Sequence, residues 1–133
     1  MFDELNKYED NNHFFFESKD ELAKVCNAPT NKFGVYIVYA LERGKVRLVY
    51  IGESGEVNTD GIKETIVNRH QVNKENRNKI WSEQINKEGI HALDIYWFVT
   101  HSEKHLDLPS DIERVLINKY KEIYGELPRW NKK

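Results

Sequence analysis

Between Phe33 and Gly52 the chain is almost continuously Val, Ile and Tyr, broken once by the polar run Glu42-Arg43-Gly44-Lys45. β-branched and aromatic runs around a short glycine-containing break predict two strands, roughly Phe33–Leu41 and Val46–Gly52, joined as a hairpin. The pattern then changes period. Ile62, Ile66, Val67 and His70 recur at helical spacing, and so do Ile80, Trp81, Gln84 and Ile85, which predicts two helices, the second ending near Gly89. The stretch "HALDIYWFVTH" returns to strand character. A last helix begins near Pro109, carries Ile112, Val115, Leu116, Tyr120 and Ile123 as an apolar stripe, and stops at Gly125.

This order predicts an α/β (α+β) domain over residues 31–133, with a small, mainly antiparallel three-stranded sheet flanked by helices. Residues 1–30 read as an N-terminal extension. Its cluster Phe14–Phe16 is expected to dock on the core. A short helix is expected after Ser18, with Glu21 completing a capping box.

A chain of 133 residues suits one domain and one core. No apolar run reaches the length of a membrane span, and the acidic N-terminus shows no signal-peptide pattern. One cysteine, Cys26, excludes an internal disulfide framework and reads as a small buried thiol. The expectation is a soluble, cytoplasmic protein. The net charge of −2 gives no global case for nucleic-acid binding, although the middle third is mildly basic against an acidic N-terminus. Zinc spacings, phosphate-binding loops and dinucleotide fingerprints are missing from the sequence.

One feature of the hairpin needs a reason. Each strand carries a tyrosine near a glycine, "GVY" at Gly34–Tyr36 and "YIG" at Tyr50–Gly52. Glycine inside a strand weakens it and often marks a close approach. A three-residue loop would pair Tyr36 with Tyr50, with both phenols on one face. A register pairing Leu41 with Val46 would put them on opposite faces unless a bulge restored the match. Gly34 and Gly52 are expected to be glycine because a side chain there would crowd a phosphate or a neighbouring helix.

Three further polar residues follow in order: Arg69 in "IVNRHQ", Glu113 in "SDIERVLINKY" and Asn131 in "LPRWNKK". With the two tripeptides, the chain over Phe33–Asn131 resembles the GIY-YIG nuclease superfamily. The resemblance implies hydrolysis of DNA phosphodiesters with one divalent metal, Mg²⁺ or Mn²⁺. It implies Tyr36 as the group that activates water, Tyr50 as its partner, Arg69 as the phosphate clamp, Glu113 as the metal ligand and Asn131 as a supporting residue.

The residue types suit that chemistry. A guanidinium grips phosphate through two parallel hydrogen bonds, and a carboxylate-held cation polarises the phosphoryl and leaving oxygens. Tyrosine, with an ordinary pKa of roughly 10, needs nearby positive charge to act as a base. Each residue also has a plainer role. The tyrosines suit a core, Arg69 a solvated helix, and Glu113 lies three after Ser110 as in a capping box.

Two departures stand out. The family often has a histidine four residues after the arginine, where this chain has Asn73, while His70 follows the arginine directly; either His70 takes the catalytic part of that histidine or the chain dispenses with it. The loop from Gly52 to Arg69 is also long. The expected function is a restriction- or repair-type DNA endonuclease, compatible with a homodimer. The alternatives are a catalytically inactive GIY-YIG-like module that binds DNA or protein, and an unrelated interaction domain.

Overall fold

The computed structural model describes residues 1–55, 57, 60–68 and 76–132. Four antiparallel strands form one sheet: β1 (Asn11–Phe16), β2 (Phe33–Glu42), β3 (Lys45–Glu53) and β4 (Ala92–His101), in the order β1-β4-β2-β3. The helices are α1 (Leu22–Val25), α2 (Ile62–Asn68), α3 (Arg77–Glu88) and α4 (Pro109–Tyr124).

The sheet therefore has four strands, not three. The extra one comes from the N-terminal extension, where β1 pairs along β4 from Asn11↔Phe98 to Phe16↔Leu93. Phe14 and Phe16 enter the core while Phe15 faces out, as strand alternation requires. The helix expected after Ser18 shrinks to four residues with Glu21 at its N-cap and no side-chain cap. The Glu17 amide instead donates to Asp20 at 2.8 Å.

Both faces of the sheet are covered. On one, Tyr36, Val38, Val49, Leu93, Ile95 and Trp97 pack with α1, α2 and α3 through Leu22, Ile62, Ile66, Trp81 and Ile85. On the other, Val35, Ile37 and Ile51 meet Leu116, Ile112, Ile117 and Tyr120 of α4, together with Leu5 and Tyr8. The α4 stripe is thus shifted from the one expected: Val115 and Ile123 are exposed, and Ile117 packs instead. Left-handed Gly89 and Gly125 end α3 and α4 at the positions the sequence pattern marks. Among the described residues, no helix is long and apolar enough to cross a membrane.

Candidate functional site

The hairpin turn is two residues long, with Arg43 at φ 51° and Gly44 at φ 72°. Positive φ at both positions matches the right-handed twist of the flanking strands. It sets Glu42 opposite Lys45 and Leu41 opposite Val46. That register, carried on, would place the tyrosines on opposite faces. It is not carried on. The pairing shifts between Val38 and Tyr39, whose partners are Tyr50 and Leu48, so Val49 is an extra residue on β3. Beyond this bulge Tyr36 lies opposite Gly52 and Tyr50 opposite Val38. Tyr36 and Tyr50 therefore share a face, with ring centroids 6.0 Å apart.

The glycines have a different reason from the one expected. A Cβ on Gly34 would overlap the Phe98 carbonyl of β4, at a register shift between Phe33 and Gly34. Strand backbone, not a helix, forbids it. The Gly34 amide donates to Ser54 Oγ and the Ser54 amide to the Gly34 carbonyl, each at 2.9 Å. A Cβ on Gly52 would lie 2.6 Å from the Tyr36 phenol oxygen. Gly52 is the floor on which the Tyr36 ring lies.

Against this tyrosine pair stands Arg77, at the start of α3. It is only 4% exposed. Its Nη1 donates to the Tyr36 phenol at 3.4 Å. Its guanidinium carbon lies 4.6 Å from the Trp81 ring centroid and 5.5 Å from that of Tyr50. Two aromatic faces and one phenol thus hold a buried cation. Among the described residues no carboxylate pairs with it. Sequence reasoning missed Arg77. The available signal was its spacing from Trp81, four residues along one helix face.

Glu113 sits in α4. The helix starts at Pro109 with Leu108 as N-cap and no side-chain cap, so Glu113 is not the partner of a Ser110 capping box. Burial, and then the nearby charge of Glu53, push its carboxyl up to about 7. Because α4 packs on the face opposite the tyrosines, Glu113 approaches the sheet from the other side. It meets the sheet near the end of β3, where Glu53 follows Gly52.

Asn131 runs along the free edge of β3. Its Oδ1 accepts from the Ile51 amide and its Nδ2 donates to the Ile51 carbonyl, both at 2.9 Å. The side-chain amide thereby imitates a neighbouring strand for the residue between Tyr50 and Gly52. Arg69, His70 and Asn73 lie outside the described residues. Cys26 is buried, and burial raises its thiol pKa.

Among the described residues no group of three or more His, Cys, Asp or Glu gathers to hold a metal. Toward the tyrosines' end of β3, Glu53 lies close enough to Glu113 for its charge to act on it. No protein-family model matches the chain, and no curated protein or solved structure matches it either.

Proposed function

We propose that this chain is a metal-dependent endonuclease of GIY-YIG type, hydrolysing DNA phosphodiester bonds. The observation that carries the reading is the Tyr36–Tyr50–Arg77 arrangement: two phenols on one face, with a guanidinium bonded to one and stacked against the other. A bulge is spent to put the tyrosines together, and a glycine leaves room for one of them.

In this reading Tyr36 accepts the proton of the attacking water. The positive charge of Arg77 against its oxygen favours the negative charge that develops there. Tyr50 holds the attacking end, and Arg69 grips the phosphate through its planar fork. Asn131 keeps β3 straight between Tyr50 and Gly52.

Glu113, on the face opposite the tyrosines with Glu53 beside it, would hold Mg²⁺ or Mn²⁺ at the end of β3 that the two faces share. The residues fit such an ion in one respect: burial first, and then the charge of Glu53, raise the Glu113 carboxyl, and a hard cation would favour its ionised form. Mg²⁺ commonly binds through one or two carboxylates plus substrate phosphate, so a full protein cage is not required. When bound, the ion would polarise the phosphoryl and leaving oxygens.

The test is purified protein on single-stranded, duplex and branched DNA, with Mg²⁺, Mn²⁺ or EDTA. Metal-dependent cutting that is lost in Tyr36→Phe supports the reading. Tight DNA binding with no cutting under any condition favours the non-catalytic module instead.

A further inference from the structure

Beside the tyrosine pair is a cleft of about 250 Å³, bordered by Tyr50, Arg77, Ile80, Trp81, Trp130 and Lys132. We infer that this cleft holds one unpaired nucleotide of the substrate, its base against the aromatic walls and its phosphate toward Arg77 and Lys132. The inference rests on the nucleic-acid reading above and adds a substrate class to it: strands with unpaired bases.

The charges at the cleft are not equivalent. Arg129 also borders it, but its guanidinium donates to Glu42 at 2.8 Å and also to Glu88. Its charge is already answered. Arg77 is buried, and among the described residues it faces no carboxylate. A buried cation without a counter-charge carries a desolvation cost that an anion from outside would offset. Lys132 is exposed and borders the cleft.

The walls explain why the anion should carry a base. Trp130 is held at two points: its amide donates to the Val49 carbonyl at 2.8 Å, and its indole N–H donates to Glu88 at 2.8 Å. The ring is thus fixed before any ligand arrives, so little ordering is needed on binding. Inorganic phosphate would make no use of Tyr50, Trp130 or Ile80. Bases stack on aromatic faces, and the Trp130 ring lines the cleft while Arg77 already covers Trp81 and Tyr50. A cleft of about 250 Å³ is matched to one base, and a base still paired in a duplex does not offer its face to Trp130.

Binding is measured without metal, on the full chain, by tryptophan fluorescence and by anisotropy of labelled DNA. The probes are a short oligo-dT, the same oligo with abasic sites, a hairpin duplex, and polyglutamate of equal length. Oligo-dT should quench tryptophan and bind about tenfold or more tighter than the abasic strand, as stacking of one base allows. It should also outcompete the duplex. Trp130→Leu should remove most of the advantage of dT over abasic DNA. Lys132→Ala, at an exposed position, should weaken both strands without lowering Tm. Equal binding of dT, abasic strand and polyglutamate would reduce the cleft to a general anion site and overturn the inference, as would a preference for duplex. Cleavage is read separately. A chain that prefers unpaired dT but never cuts keeps the cleft and loses the nuclease. One that cuts duplex without quenching keeps the nuclease and loses the cleft.

Discussion

The ring of Tyr36 lies over Gly52, the residue directly opposite it across the hairpin. The tyrosine of one tripeptide thus depends on the glycine of the other. A methyl group at residue 52 has nowhere to go except into the phenol, and the phenol is packed against Arg77 and the Thr65 carbonyl.

Gly52→Ala is therefore expected to displace the Tyr36 ring. Overpacking of this kind costs about 1–3 kcal/mol. Cleavage should fall further than stability does, because misplacing a reacting group by about 1 Å can cost on the order of 10² in rate. Gly34→Ala is the control: its Cβ meets strand backbone, which cannot rotate away, so folding should suffer more. Denaturant melts and a cleavage assay on both proteins separate the effects. A Gly52→Ala protein with unchanged rate would detach Tyr36 from the chemistry.

Glu113→Gln is expected to abolish metal-dependent cutting and, at alkaline pH, to stabilise the fold. The sign follows from the raised carboxyl, about 7 against an ordinary value of 4.5. Between those values the folded state holds the proton more tightly than the unfolded state, so Glu113 makes stability fall as pH rises from about 4.5 to about 7. The neutral amide does not titrate. Melting temperatures of the two proteins should be similar near pH 4, with the variant higher at pH 8. Mg²⁺ should narrow the gap at pH 8 by stabilising only the native chain. A variant that is less stable at every pH would contradict this.

The two arginines should respond differently to lysine. Arg69→Lys keeps charge but loses the planar fork, so the rate should drop on the order of 10² with little change in Tm. Arg77→Lys removes a guanidinium held between the rings of Trp81 and Tyr50, so Tm and rate should fall together. Thermal melts and single-turnover rates distinguish the pair.

What could be read from the sequence followed local rules. The hairpin strands, α3 and α4 announced themselves by period, and Gly89 and Gly125 marked two ends because only a left-handed residue closes those helices. The N-terminal strand did not. Three successive phenylalanines hide the alternation that β4 imposes on them, with Phe15 out and its neighbours in. The bulge at Val49 was equally illegible in position, since loop chemistry fixes register only near the turn. Arg77 was hidden because burial of a charge is a tertiary fact: without Tyr36 and Trp81 around it, an arginine opening a helix looks solvated.

Asn131 offers the last prediction. Its amide gives and takes one hydrogen bond with Ile51 at the edge of β3, so both halves of the amide are needed. Asn131→Ala loses both bonds and should cost about 1–3 kcal/mol. Asn131→Asp is more informative. At neutral pH the carboxylate still accepts from the Ile51 amide but faces the Ile51 carbonyl with no proton to donate. When protonated, it can donate again. The native state then favours the protonated form, so the folded pKa of the new carboxyl rises above its unfolded value. Its contribution is present below the unfolded pKa and is lost as pH rises through the folded one. Asn131→Asp should approach native stability near pH 4 and fall to or below the alanine variant at pH 8. Hydrogen exchange at the Ile51 amide should speed up in the alanine variant, and cleavage should weaken with it, since Ile51 sits between Tyr50 and Gly52. Unchanged exchange at Ile51 would mean that the edge is held without Asn131, leaving this residue no structural part in aligning the two tyrosines.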